Sequence, residues 1–255
     1  MMNKRLHNLS LLLSLLLSTS MMPGCSLTSK QQPEIIPAQR TLSDNPDITY
    51  PMRVYDPIEG FNRGTYKFNA KFDQYVFLPV VNGYEFITPE FVQTGIGNFF
   101  SNLGEFTNLT NSIFQLKAES SFYALSRFVI NSTVGIGGLW DHATSWGLLE
   151  HPEDFGQTMG HYGVGDGPYL VIPLFGPMNT RDGTGLIVDS LAYGAVFGAA
   201  FDFDNKTGAA AAFYSTSAIS KRQQTKFRYN QSGSPFEYDF VRYLYTQKRK
   251  LEIAK

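Results

Sequence analysis

Residues 56–76 have the sequence DPIEGFNRGTYKFNAKFDQYV, which predicts a helix and points to a helical fold. Asp56 offers a side-chain oxygen to the free N–H groups of a first turn. Pro57 suits the first helical position, and Glu59 adds an acid two residues later. Apolar residues then recur on one helical stripe: Phe61, Phe68, Phe72 and either Tyr75 or Val76. We therefore predict an amphipathic helix over about 57–76, with Asn62, Lys67, Asn69 and Asp73 off that stripe.

Helical signals continue along the chain. Ser234-Pro235-Phe236-Glu237 repeats the start signal, and Thr88-Pro89-Glu90 is a weaker version. Apolar periodicity predicts helices from Pro89 through Leu103 and near 105–116, 119–131, 207–228 and 235–252, with short helices near 138–146 and 153–161. Residues 181–203 are nearly apolar and predict a helix that packs closely or touches lipid, whereas 169–173 should be extended. Because no period-two alternation recurs, we predict one all-α domain over 51–255.

The N-terminus has the layout of an export signal. Lys4 and Arg5 precede an apolar run that is too short for a membrane span. The run, Leu9 to Leu17, is followed by a segment that ends in Gly24 and Cys25, the only cysteine, whose setting is typical of a bacterial lipobox. We predict a signal peptide over 1–24, lipidation at Cys25 and a flexible tether over 25–50. In bacterial lipoproteins an Asp directly after the lipidated cysteine favours retention in the inner membrane. Ser26 occupies that position here and therefore favours the outer membrane. The alternative is an ordinary signal with an incidental free cysteine.

Composition limits the classes of partner. The formal net charge is −1, and removal of the signal takes away two more positive charges, so nothing favours nucleic-acid binding. Aromatic residues make up 15% of the chain, and charged residues only 17%, below the ~25% of an average soluble domain. This balance fits either a large core or a body that sits partly in lipid.

No pattern of catalysis or metal binding emerges. His142, His151 and His161 are spaced by nine and ten residues, so no two share a helical turn. The glycine-rich stretch over 161–177, HYGVGDGPYLVIPLFGP, has no lysine, and Asp166 would repel phosphate. We interpret it as a backbone turn and predict no catalytic residue, metal or cofactor. A hydrolase that uses His161 with Asp166, or His142 with Asp141, is the enzymatic alternative.

Several blocks, taken in order, resemble one family. They are DPIEGFNR at 56–63, NFFSNL at 98–103, RFVINSTVGIGGL at 127–139 with Asp141, DFGQTMG at 154–160, GVG at 163–165, GPYL at 167–170, Pro173, GP at 176–177 and RD at 181–182. Order and spacing resemble those of the MlaA/VacJ family of outer-membrane phospholipid-transport lipoproteins. We assign structural roles in these blocks to Asp56, Pro57, Gly60, Phe155, Gly156, Gly160, Gly167, Pro168, Tyr169, Gly176 and Pro177.

The resemblance implies a mostly helical, ring-like domain in the inner leaflet of the outer membrane, with an amphipathic channel. It implies association with a trimeric porin. Phospholipids misplaced in the outer leaflet would pass through the channel to a periplasmic carrier protein without covalent chemistry. A porin-associated structural lipoprotein is the alternative.

Polar residues of the matched blocks could contact lipid headgroups, since arginine suits phosphate. The candidates are Asn62, Arg63, Arg127, Asn131, Arg181 and Asp182. The alternative is that these arginines pair with acids and hold helix ends. Residues 221–255 carry nine Lys or Arg against three acids, a cluster that is either a solvated face or an attraction for anionic headgroups or an acidic partner.

Overall fold

The computed structural model describes residues 38–42, 52–203 and 205–255, all of which belong to one compact unit spanning Pro37–Lys255. The predicted signal peptide over 1–24 and Cys25 lie outside the described residues. Most of the predicted tether over 25–50 also lies outside them. Mostly helical structure is confirmed, with one small hairpin that the sequence did not predict.

The first helical segment is longer than predicted. It comprises α1 (Glu59–Phe72), a π turn (Asp73–Phe77) and α2 (Leu78–Ile87). In the π turn the N–H of Leu78 donates to the carbonyl of Asp73. Pro79 then lies in the first turn of α2, where its missing N–H is tolerated, and the helix continues beyond residue 76.

The next two helices form a long pair. Residues 90–114 form one helix, α3 (Glu90–Phe114), where the periodicity suggested two separate helices. Gly104 lies inside α3 without ending it, because one glycine costs only about 1 kcal/mol. A tight turn follows, in which Leu116 has φ +59°, and the chain returns as α4 (Ala118–Thr133), which packs along α3.

Two short helices and the hairpin occupy the middle of the chain. They are α5 (His142–Ser145), α6 (Phe155–His161), β1 (Tyr169–Ile172) and β2 (Gly176–Asn179). The strands are antiparallel and pair Tyr169 with Asn179 and Ile172 with Gly176. The extended segment at 169–173 is thus confirmed as β1. Strand β2 was not predicted because Gly176 and Pro177 are poor strand formers.

Three longer helices complete the chain: α7 (Thr180–Ala200), α8 (Thr207–Gln224) and α9 (Glu237–Ala254). By length and composition, α7 is the one helix in the described ranges that could cross a membrane, with a mean hydropathy of 1.3. Core helices of soluble proteins pass the same test, so this finding alone assigns no span.

The predicted caps at Asp56 and Thr88 are wrong, whereas the Ser234 hydroxyl accepts from the N–H of Phe236 at 3.2 Å just before α9. Ile58 occupies the N-cap of α1, Pro89 that of α3 and Phe236 that of α9, all without a side-chain cap bond. Instead, side-chain caps form where Asp141, Asp154 and Asn179 accept N–H bonds from α5, α6 and α7. Asp56 has another role, because its carboxylate accepts hydrogen bonds from buried side chains of α9.

The interior is unusually polar. Among the described residues, 24 buried side chains are polar or charged and only 11 are hydrophobic. In α1 the predicted stripe faces outward, with Phe61 and Phe68 more than half exposed, whereas Asn62 and Asn69 are buried. The periodicity of α1 was therefore predicted correctly, and the polar face is the one that packs. A small aromatic core remains around Tyr66, Tyr169, Val171 and Tyr238.

Candidate functional site

A cavity of about 750 Å³ lies between α1 with its π turn, the hairpin, α8 and α9. Most of its wall is aromatic or aliphatic, and includes Phe72, Phe77, Phe175, Phe227, Val241 and Leu244. Its size and lining are typical of sites that take largely apolar ligands. The matched family blocks contribute Gly176 and Pro177 to this wall, which is the part of the cavity that the sequence had marked as structural.

Asn69 fixes the hairpin against α1 at the edge of the cavity. Its Nδ2 donates to the carbonyl of Ile172 at 3.0 Å, and its Oδ1 accepts from the N–H of Leu174 at 2.8 Å. Leu174 has φ +68°, a strained conformation for a branched side chain, and Gly176 has φ +88°. The amide of Asn69 therefore stabilises the turn that presents Leu174 and Phe175 to the cavity.

Arg222 and Asp73 form an ion pair in the cavity wall. Both side chains are about nine-tenths buried, and their two hydrogen bonds measure 2.6 Å each. The third guanidinium contact is to the carbonyl of Thr225 at 3.1 Å. Burial, followed by the charge of Asp73, raises the pKa of nearby Tyr229 to about 12. Its phenol is therefore neutral at physiological pH.

Lys221 and Lys248 also line the cavity. In the part of the chain that the structure describes, the ammonium of Lys221 has no hydrogen-bond or ion-pair partner. Lys248 is 3.4 Å from Glu252, but its side chain is 73% exposed, and such pairs contribute little. Among the lining residues the one acid is Asp73, which Arg222 already binds. The lining therefore has three basic residues against one acid, and its two lysine side chains are exposed.

Asn62, a headgroup candidate, is buried in the protein interior. Its Nδ2 donates to Asp56 at 2.7 Å and to the carbonyl of Tyr169 at 3.1 Å, and its Oδ1 accepts from the N–H of Val171 at 2.9 Å. Asn62 thus joins α1 to β1. Asp56 also accepts from Tyr238 and Arg242, so the aspartate from the first family block connects the start of the domain to α9.

Arg63, the next candidate, is also paired. It binds Glu59 at 2.6 Å and Asp239 at 2.8 Å, and its guanidinium lies 4.2 Å from the ring centre of Tyr238. Burial raises the pKa of Glu59, but hydrogen bonds and charge from Arg63, together with those from Arg242, outweigh that effect and lower it. These contacts tie α1 to α9.

Arg127 and Asn131 join α4 to its neighbours. Arg127 donates to Glu105 in α3, and to the carbonyl of Leu148 at 2.6 Å. Asn131 donates to Asp141 at 3.0 Å. Burial raises the pKa of Glu105 more than the pairing with Arg127 lowers it. Both candidates therefore hold the α3–α4 pair to the segment around α5.

Arg181 and Asp182 begin α7. Arg181 binds Asp166 at 2.7 Å, which secures the glycine-rich turn, and Asp182 binds Arg249 at 2.8 Å and Tyr245 at 2.6 Å. All six candidates are thus buried with protein partners. Their contact with headgroups stays a prediction, and the geometry favours the alternative that they hold helices together.

One sequence pattern drew attention to residues that line the cavity. The excess of Lys and Arg over 221–255 was consistent with a solvated face, with anionic headgroups or with an acidic partner, and Lys221, Arg222 and Lys248 come from it. Asp73 was missed, since nothing local marks an acid whose partner lies 149 positions away. Other members of the basic cluster, such as Arg242 and Arg249, are instead buried in ion pairs.

The histidine–acid pairs of the hydrolase alternative are not assembled as pairs. Asp166 binds Arg181, and Asp141 accepts from Asn131 and caps α5. His161 packs its ring edge-on against Tyr162, and His142 lies beside Trp146. Within the described ranges, neither acid forms a hydrogen bond to its proposed histidine. The geometry therefore offers no support for either pair.

Comparison with known proteins yields one family. The MlaA lipoprotein family model matches residues 54–252. An uncharacterized protein of Rickettsia prowazekii is 40% identical over 141 residues, which cover 55% of this chain and 56% of that protein. The Escherichia coli K12 protein named intermembrane phospholipid transport system lipoprotein MlaA is 36% identical over 141 residues, which cover 52% and 55%. The chain thus spans just over half the length of these relatives.

A solved structure described as "Structural basis for maintenance of bacterial outer membrane lipid asymmetry" is also similar. It aligns with a TM-score of 0.62 and 29% identity, and covers 79% of this chain and 100% of that one. The family model alone matches well over half of the present sequence. The chain therefore belongs to the MlaA lipoprotein family.

Proposed function

We propose that this protein moves phospholipids out of the outer membrane, towards the periplasm, without covalent chemistry. It would take phospholipids misplaced in the outer leaflet and pass them to a periplasmic carrier, which maintains lipid asymmetry. The observation that carries this proposal is the 750 Å³ cavity, whose apolar wall suits acyl chains and whose cationic groups suit a phosphate. Membership of a family with phospholipid-transport relatives supports it.

The outward-facing side chains support a location in lipid. Phe86 and Phe91 are 91% and 78% exposed, and Phe61, Phe68 and Leu191 are more than half exposed. An apolar surface of this extent marks contact with a membrane or another protein. We propose that lipidated Cys25 anchors the chain, that the apolar faces lie in the inner leaflet, and that a trimeric porin is a neighbour.

From the family resemblance, we further propose that lipids move from the outer leaflet towards the periplasm. Outward-facing apolar helices would shield the cavity from inner-leaflet lipids, while a lipid from the outer leaflet would arrive headgroup first. Such one-way access depends on shape more than on affinity. The proposed direction rests on the family resemblance, and the exposed apolar side chains support only the location of the helices in lipid.

The test is to obstruct the cavity. Ala218 lines it, is exposed and lies on α8, so Ala218→Trp should fill space without unfolding the helix. Ala211→Trp is the matched control, since Ala211 is exposed on α8 outside the cavity lining. In a deletion strain, Ala211→Trp should restore normal outer-leaflet phospholipid, and Ala218→Trp should not.

Two outcomes would contradict the proposal. Full complementation by Ala218→Trp at normal protein level would exclude the cavity as the path. If the deletion leaves outer-leaflet phospholipid unchanged and the purified protein holds no lipid, the porin-associated structural lipoprotein becomes the better assignment.

A further inference from the structure

We infer that the cavity selects phospholipids by headgroup charge and prefers net-anionic over zwitterionic phospholipids. This inference rests on the proposed function and adds the substrate class. It begins with the charges around one apolar space. Lys221, Arg222 and Lys248 line the cavity, and the single acid among the lining residues is Asp73.

Ion pairs within the protein determine which of these basic groups can bind an anionic ligand. Arg222 is committed to Asp73 through two 2.6 Å bonds and to the carbonyl of Thr225, so its charge is balanced and three of its five N–H donors are used. Lys221 has no side-chain partner among the described residues, and Lys248 has one exposed contact at 3.4 Å. Both side chains are exposed, so the unpaired ammonium of Lys221 and the weakly paired ammonium of Lys248 can reach a ligand.

Lys221 has another explanation, which is weaker. It lies in the last turn of α8, where a cation offsets the negative end of the helix dipole. Arg222 is in the same turn, but its side chain bonds Asp73. The dipole does not account for Lys248, which lies on α9 and reaches the same cavity. Two helices that place lysine side chains at one apolar space indicate a ligand with an anionic end and an apolar body.

The headgroup of a zwitterionic lipid matches the charges that line the cavity less well. Their phosphate could bind an ammonium, but their own cationic group would need an acceptor. Asp73 is the one carboxylate in the lining, and Arg222 occupies both of its oxygens. A phosphatidylglycerol headgroup carries the phosphate without that extra cation. Each basic residue raises the affinity for an anionic headgroup about fivefold, so two lysines would strongly favour phosphatidylglycerol.

The experiment measures a ratio of bound lipids. The full-length lipoprotein in detergent is exchanged against vesicles containing equal phosphatidylglycerol and phosphatidylethanolamine with the same acyl chains, and bound lipids are quantified by mass spectrometry. We expect the wild type to be enriched in phosphatidylglycerol at least fivefold, and less so at high salt. Lys221→Gln with Lys248→Gln should bring the ratio to about one.

Two variants control for folding and for surface charge. Lys221→Arg with Lys248→Arg should keep the enrichment, because it keeps the charge. Lys250→Gln removes an exposed cation of α9 outside the cavity lining, and should leave the ratio at the wild-type value. Circular dichroism of the glutamine double variant checks that its helices are retained.

The outcomes separate the inference from the proposed function. A wild-type protein that binds both lipids equally would overturn the charge selection and leave lipid transfer standing. An equal loss of enrichment in Lys250→Gln would also overturn it, because surface charge would then explain the effect. A wild-type protein that takes up neither lipid would contradict both.

Discussion

Arg222 holds Asp73 through two parallel hydrogen bonds of 2.6 Å, Nε to Oδ1 and Nη2 to Oδ2. The two residues are 149 positions apart and connect the π turn after α1 to the last turn of α8. Because both are buried in the wall of the cavity, the pair fixes the distance between two of its sides.

Removing the acid of this pair should be costly. Asp73→Asn leaves the Arg222 charge without its counter-ion, and a broken buried pair costs about 3 kcal/mol in the free energy of unfolding. Denaturant unfolding of the purified protein in detergent measures the change. Asp202→Asn, which breaks the exposed pair with Lys206 before α8, should cost less than about 1 kcal/mol. Equal losses in the two variants would contradict a structural role for the buried pair.

Asp56 should behave as a buried anchor and not as a helix cap. Its carboxylate accepts from Asn62, Tyr238 and Arg242, and the α1 N-cap is Ile58. Asp56→Ser retains a capping group, but it cannot reproduce the charge. We therefore expect Asp56→Ser and Asp56→Ala to lose about the same free energy of unfolding, roughly 3 kcal/mol. Stability near the wild-type value in Asp56→Ser alone would show that capping dominates.

Sequence patterns predicted the positions of helices better than their orientation. Periodicity places Phe61 and Phe68 on one stripe, but it cannot tell whether that stripe faces the protein or its surroundings. The same limit applies to the arginines. Arg63 in the first family block bonds Asp239 of α9 at 2.8 Å, a residue 176 positions away. No local sequence pattern indicates a pairing over that distance.

Gly185 and Gly156 should set the spacing between α6 and α7. A Cβ on Gly185 would lie 2.3 Å from the backbone nitrogen of Gly156, so Gly185→Ala must push the helices apart. We expect a loss of about 2 kcal/mol in the free energy of unfolding. On the same helix, Gly194 has open space around its position, and Gly194→Ala should stabilise by up to about 1 kcal/mol. Thermal unfolding of both variants tests the contrast, and equal shifts would refute the close approach.

Asp154 should make stability depend on pH in the acid range. Burial raises the pKa of this carboxyl, but the hydrogen bonds and charge of Arg249, with the N–H of Gln157, outweigh burial and lower it. A lowered pKa means that the folded protein binds fewer protons than the unfolded chain. The contribution is therefore present above the ordinary aspartate pKa and is lost as the pH falls through the folded-state value.

Asp154→Asn isolates that effect, because asparagine is still a good N-cap for α6 but carries no charge for Arg249. The melting temperature of wild type should exceed that of the variant at pH 6, and the gap should narrow as the pH falls towards 3. Glu119→Gln, an exposed change in the first turn of α4, should show a small gap at both pH values. A gap for Asp154→Asn that stays constant from pH 6 to 3 would mean that the ion pair with Arg249 does not carry the acid sensitivity.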